Sequence, residues 1–336
     1  MSRWLVTGAA GFLGSHLVEQ LLAQQVPVIA VDDLSAGKYE SLAPFSTHPL
    51  FKFACEDIRN ASAMANLMRE HSPEVVVHLA ALHFIPAAVR NPSLALSLNV
   101  DGTKTVLEAC RNSTVSHFWF ASTADVYKAS DQPHHESSDI GPFNIYGATK
   151  WMGEELVRKE AATLLDRHFI VGRLFNMYGT RDPSPHILPE IIGQLRTSGT
   201  SVLRLGNVTP YRDLVPVADA ARVVIESVPK AALGVTVVNI ATGLSISVIE
   251  LVEKISAVIG RKLTIDVDPD KVRTVERPFL RADVHALRSL IGWAPHSDIM
   301  RGIFELLKFE GIPCLNYMSA SSPPTSGWAA LPIPTI

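Results

Sequence analysis

Short apolar runs alternate with amphipathic stretches through the first two-thirds of the chain. "RWLVTG" reads as a strand, "GFLGSHLVEQLLAQ" as a helix and "VPVIAVDD" as a second strand. "PEVVVHLAA", "VSHFWFAST" and "RHFIVGRLF" follow, each a continuous apolar run bounded by polar or turn residues. Such runs suit strands buried on both faces of a parallel sheet. Between them "NASAMANLMREH", "NVDGTKTVLEACRNS" and "YGATKWMGEELVRKEAATL" have helical spacing. Repeated strand–helix units predict an α/β fold built on a doubly wound parallel sheet.

After about residue 176 the rhythm changes. "NMYGTRDPSPHILPE" is rich in Pro and Gly, and "LRLGNVTPYRDLVPV" reads as a hairpin or an irregular loop. "VTVVNIAT" returns as a strand, and "SVIELVEKISAVIG" as a helix. The pattern predicts a first domain over residues 1–175 that also takes in about 214–243. A smaller C-terminal α/β lobe for substrate covers 176–213 and 244–310, and 311–336 is a Ser/Pro-rich tail with little core potential.

With 336 residues, 47% of them hydrophobic, the chain can bury a full core. Its net charge of -3 provides no basic field for nucleic acid or anionic lipid. No leader and no membrane-length apolar run is present, and Cys55, Cys110 and Cys314 lack metal spacing, so reduced thiols in the cytoplasm are expected. The Asn-x-Ser/Thr triplets at Asn60, Asn112 and Asn207 read as chance.

Candidate chemistry begins at "VTGAAGFLG", which sets Gly8, Gly11 and Gly14 between a strand and a helix. Gly8 allows the turn, Gly11 lets a diphosphate approach the backbone, and Gly14 lets helix and strand pack closely. Asp32 ends the next strand, where a carboxylate accepts the ribose hydroxyls of NAD and repels the extra phosphate of NADP. Tyr146 and Lys150, four apart in "YGATK", project from one helix face. A neighbouring ammonium lowers a phenol's pKa, so this pair suits proton transfer from a substrate hydroxyl.

"TGAAGFLG", "DDLSAG", "EDI", "HLAA", "STADVY", "YGATK", "RLFNMYG" and "YRDLVPVADAA", in this order, closely resemble the extended short-chain dehydrogenase/reductase family, with its Rossmann-type sheet. Within it the resemblance is to NAD-dependent nucleotide-sugar epimerases and dehydratases, over about residues 3–310. It implies that Gly8, Gly11, Phe12, Leu13 and Gly14 hold the diphosphate of NAD. Asp32, Asp33, Leu34, Ser35, Ala36 and Gly37 match the adenosine ribose segment, and Asp57 and Ile58 the adenine contact. Leu79, Ala80, Ala81 and Asn99 match the central cofactor wall, to which Ser122 and Phe175 are added. Thr123, Tyr146 and Lys150 match the catalytic triad. Asn176, His186, Arg212 and one of Arg273 or Arg277 match the substrate side, where the family usually has an Arg-Pro-Gly-Asp-like run in place of "RTVERPF". A uridine diphosphate sugar is the commonest substrate by resemblance, and the helices from Thr103 and Tyr146 resemble those that pair in homodimers.

Bland readings compete at several positions. His78 reads as structural, and Arg212 beside Asp213 as either a phosphate ligand or a surface ion pair. His83 is split between substrate and structure, and His134, His135 and Glu136 read as a solvated loop rather than a metal cluster. Relatives that are dehydratases resemble "Ser-Thr-Asp-Glu-Val-Tyr" where this chain has Ser122, Thr123, Ala124, Asp125, Val126 and Tyr127. Ala124 has no proton to give, which favours an epimerase that oxidises one carbinol and returns the hydride to the opposite face. Asp125 exceeds what that reaction needs, so elimination of water stays open as the alternative. A non-catalytic NAD-binding sensor also stays open.

Overall fold

The computed structural model describes residues 2–198, 201–272, 276–296 and 298–315. Seven parallel strands form the main sheet: β1 (Trp4–Thr7), β2 (Val28–Val31), β3 (Phe51–Ala54), β4 (Val75–His78), β5 (His117–Thr123), β6 (His168–Leu174) and, after an excursion, β10 (Gly234–Ile240). Their spatial order is β10-β6-β5-β4-β1-β2-β3. The chain runs outward from β1 in one direction, then returns to β1's other side with β4. That reversal opens a crevice at the strands' C-terminal ends, where doubly wound sheets bind ligands.

Period-two alternation explains the two-sided burial. Val6, Ala30, Val77, Trp119, Ile170 and Val238 face one side, where α1 (Phe12–Ala23) and α8 (Val217–Ser227) pack. Leu5, Ile29, Val76, Phe118, Phe120 and Val171 face the other, against α2 (Ala61–His71), α5 (Gly102–Arg111) and α6 (Ile145–Ala161). Two short helices, α3 (Ile85–Arg90) and α4 (Pro92–Leu96), follow β4.

The second lobe has its own core of Leu203, Leu205, Leu251, Ile255, Leu306 and Leu307. It uses α7 (Ile187–Ser198), α9 (Val248–Ile259) and α11 (Ile299–Phe309). Central β9 (Tyr211–Pro216) pairs with β7 (Asn176–Tyr178), β11 (Ser245–Ser247) and β13 (Phe279–Leu280), while β8 (Val202–Leu205) pairs with β12 (Thr264–Val267). The expected hairpin over "LRLGNVTPYRDLVPV" is therefore not formed: β8 and β9 lie in different sheets. Helix α10 (His285–Ile291), placed by its sequence in the second lobe, puts Leu287 into the first core. Arg273 and residues 316–336 of the expected tail lie outside the described residues.

Candidate active site

A cleft of about 1690 Å³ runs along the sheet's C-terminal edge and into the second lobe. Drug-sized pockets measure roughly 300–1,000 Å³, so this one has room for two ligands end to end.

At one end, Gly8 adopts φ +69°, and a Cβ there would sit 2.7 Å from the Ala80 nitrogen. Gly11 precedes α1 without a capping side chain, and no acidic residue occupies the helix's first turn. The α1 N–H groups therefore face the cleft next to Phe12, Leu13 and Gly14, which is how a helix terminus receives phosphate. Asp32, buried at the tip of β2, accepts from the Ala10 N–H at 2.9 Å and the Leu34 N–H at 2.9 Å. Burial pushes its carboxyl up, against those two bonds. Asp33 holds the next turn through the Ser35 N–H and hydroxyl, and Ser35, Ala36 and Gly37 line the cleft. This end has the shape and donors that an adenosine diphosphate requires.

Three residues assigned to the cofactor stand back from that wall. Leu34 packs against the first core. The Asp57 carboxylate is taken by Arg59, with Arg59 Nε 3.0 Å from Asp57 Oδ1, and only Ile58 of that pair reaches the cleft. Asn99 is buried, donating to Thr149 Oγ1 at 2.9 Å while its carbonyl accepts from the Leu82 N–H at 2.7 Å. It fixes the chain beyond Leu79, Ala80 and Ala81, which do line the cleft.

In the middle, β5 ends in Ser122 and Thr123 and turns tightly over Ala124–Val126. Ser122 lines the cleft, and its hydroxyl donates to Glu154 Oε1 at 2.5 Å. Glu154 is fully buried and forks with Arg173, whose Nη2 lies 2.8 Å from Oε2. Thr123, Asp125, Tyr146 and Lys150 all line the cleft, with Phe175 beyond them. Asn144 caps α6 by accepting from the Gly147 N–H at 2.7 Å. A Cβ on Gly147 would sit 2.4 Å from the Asp125 carbonyl oxygen, so only glycine lets the Tyr146 helix approach this turn so closely.

The electrostatics depart from expectation. Burial first, then the Asp125 carboxylate, pushes the Tyr146 phenol up, and the Thr123 hydroxyl hydrogen-bonded to it pulls it partly back. The Lys150 nitrogen lies 4.2 Å from the centre of the Phe120 ring, and burial brings Lys150 down to about 7 against the pull of Glu154.

At the far end, Asn176 lines the cleft at the start of β7. His83 and His186 meet there: His83 Nε2 is 3.1 Å from Ser184 Oγ, and His186 Nδ1 is 2.8 Å from Asp182 Oδ2. The Asp182 and Ser184 partners were missed in a stretch of which only Asn176 and His186 were assigned, although Asp182 and His186 stand four apart. Arg212 forms an ion pair with Glu276 and donates to the Arg277 carbonyl at 2.9 Å. It does not pair with Asp213, which points to the other side of β9 and accepts from Thr242 and Gly243 N–H groups at 2.8 Å. Arg277 is buried, with Nη2 2.5 Å from the Tyr127 carbonyl.

The remaining histidines sort by burial. His78 is held between Thr7 Oγ1 at 2.7 Å and Thr103 Oγ1 at 3.0 Å, a structural role. His134 is not on a solvated loop: it is buried, stacked on Tyr127 with ring centres 4.7 Å apart. Glu136 Oε1 accepts from the Asn239 N–H at 2.8 Å. Among the described residues no three metal-ligating side chains gather.

The model of the NAD dependent epimerase/dehydratase family matches residues 4–241. A UDP-glucose 4-epimerase of Mycolicibacterium smegmatis is 31% identical over 312 residues, covering 91% of this chain and 98% of that protein. A UDP-glucuronate 4-epimerase of Thermodesulfobacterium geofontis is 29% identical over 310 residues, covering 90% and 94%. Among solved structures, a UDP-glucose-4-epimerase from Stenotrophomonas maltophila with bound NAD and formylated UDP-arabinopyranose matches with a TM-score of 0.85 at 26% identity, covering 93% of this chain and 98% of that one.

Proposed function

Because the chain belongs to the NAD dependent epimerase/dehydratase family, we propose that it is an NAD-dependent nucleotide-sugar epimerase that inverts one sugar carbinol, at C4, of a uridine diphosphate sugar. The single observation that carries this reading is the grouping of Thr123, Tyr146 and Lys150 in one cleft, with Ala124 in place of a second acid. The glycine turn, the uncapped α1 and Asp32 fit NAD at one end, leaving the end lined by Asn176, His186 and Arg212 for the nucleotide sugar.

Bound NAD supplies a reversible hydride acceptor. The chain's own residues do the rest. As the phenolate, which the positive charge of bound NAD would favour against the burial and Asp125 effects, Tyr146 takes the proton from the sugar hydroxyl and as the phenol returns it. Thr123, bonded to that phenol, orients both oxygens. Lys150, buried on the same helix face, adds positive charge there when protonated. The reading is supported by relatives whose names specify 4-epimerisation of UDP-sugars.

Asp125 favours one second reading, elimination of water, because its carboxyl acts on Tyr146 from within the cleft. Incubation with NAD and a panel of UDP-hexoses, N-acetylhexosamines and uronic acids, followed by mass-resolved chromatography, separates the two. A new peak of unchanged mass is expected; a product lighter by one water overturns the epimerase reading. Tyr146→Phe should lower kcat by at least about 10³-fold while NAD still binds, measured by turnover and by fluorescence titration.

We further assign the first core to the cofactor and the second to the substrate, and place the enzyme in the cytoplasm, consistent with three free thiols. A homodimer through α5 and α6 is supported by Met152, exposed on α6. Sedimentation velocity tests it, a single monomer-sized species being the contrary result.

A further inference from the structure

We infer that Arg277 is a positioning residue for the proton-transfer end of the cleft, and not a ligand of the substrate's diphosphate. The inference rests on the epimerase reading above only for its kinetic readout.

Arg277 is 4% exposed. Its Nη2 donates to the Tyr127 carbonyl at 2.5 Å and to the Asp125 carbonyl at 3.4 Å, and its Nη1 to the Ala124 carbonyl at 3.4 Å. One guanidinium thus gathers the carbonyls of the turn that carries Asp125. A rigid planar fork can do this where a lysine's point charge cannot. The same group lies 4.3 Å from the centre of the Phe143 ring, the residue just before the Asn144 cap of α6. Arg277 therefore ties together the Asp125 turn and the entry to the helix that bears Tyr146. Arg277 lines the cleft, but both of its Nη atoms already donate to the carbonyls of the turn, and its Nε is buried without a partner among the described residues.

The charge balance has the same direction. Asp125 raises Tyr146, and Arg277 sits close enough to Asp125 for the two charges to favour each other. Among the described residues, the other titratable groups around this end include Lys150 and Glu154 on α6, His134, on which Arg277 also acts, and Arg212 with its partner Glu276. Removing Arg277 leaves the Asp125 charge less balanced beside the phenol.

Two measurements on the NAD-loaded protein test the inference. Binding of uridine diphosphate is followed by calorimetry for the wild type, Arg277→Met and Arg212→Met. Tyr146 is titrated through its ultraviolet phenolate band, as the difference from Tyr146→Phe. For Arg277→Met, uridine diphosphate affinity should stay within about threefold while kcat drops about tenfold or more. Tyr146 should titrate at higher pH, and that shift should vanish when Arg277→Met is made in an Asp125→Asn background. A larger loss of uridine diphosphate affinity, or an unmoved Tyr146 titration, overturns the inference. Arg277→Lys keeps the charge for the case in which Met fails to fold; it should retain the titration and still lose kcat. Neither binding nor the phenolate band depends on turnover, so failure of the epimerase reading would be seen separately, in an inactive wild type.

Discussion

Asp125 works against Tyr146 across the cleft, and its removal has a definite sign. A carboxylate beside a phenol opposes the phenolate, so Asp125→Asn should lower the pH at which Tyr146 titrates. Under epimerisation the variant should keep turnover within about tenfold of the wild type, with the rising limb of its pH–rate profile displaced to lower pH. His134 gives a second residue-scale case. Burial, then Arg277, brings its imidazole down to about 4 from 6.5, and Nε2 has no partner among the described residues. Between pH 6.5 and 4 the unfolded chain binds the extra proton and the folded one does not. Stability therefore falls as pH drops through that window. His134→Phe keeps a ring against Tyr127 and should flatten the fall by about 2 kcal/mol, read from urea melts at pH 7 and pH 5. The residues legible in sequence were those whose chemistry is carried by spacing: Gly8, Asp32, Tyr146 and Lys150. The partners of Ser122, His134 and Arg277 were not, because Glu154, Tyr127 and the Ala124–Tyr127 carbonyls meet them only as distant segments come together.

Among elements, the contact between the first turn of α6 and the Asp125 turn is the closest constraint on the site. Gly147→Ala would place a methyl 2.4 Å from the Asp125 carbonyl oxygen, a backbone atom with little room to give. Overpacking of this kind costs about 1–3 kcal/mol, and displacing Tyr146 by about 1 Å should cost about 10²-fold in kcat. Circular dichroism melts and turnover, measured together, check both. Most of the main sheet was readable because β1, β2, β4, β5, β6 and β10 are largely apolar runs, most of them set off by helices; β3, with Lys52 exposed and only two short turns leading to it from β2, went unmarked. The second lobe was less so. Its strands are short, and the turn from Gly206 to Pro210 has hairpin chemistry, yet β8 and β9 take their partners from residues 264–267, 176–178, 245–247 and 279–280. Pattern along a chain marks a strand; it carries no record of which remote strand completes it.

At the scale of the molecule, the chain leaves the main sheet after β6, builds part of the second lobe, and returns with β10 to cover the edge of β6 along its whole length, from Gly234 beside His168 to Ile240 beside Leu174. α8 comes back with it and packs on α1, where the Gln20 amide donates to the Ala218 carbonyl at 2.8 Å. The two lobes are therefore interleaved, and a cut at residue 175 does not free a cofactor domain. It leaves "HFIVGRL" as a bare, apolar sheet edge, the feature that natural sheets avoid because it recruits other chains. A fragment of residues 1–175 should be insoluble, whereas one extended to 243 should recover part of the soluble yield, measured by fractionating the two after expression. The same geometry sets an order on synthesis. While the ribosome is still adding residues 175–233 the nascent sheet has no lid on that flank, so a pause in translation there exposes the growing chain to aggregation and to capture by chaperones.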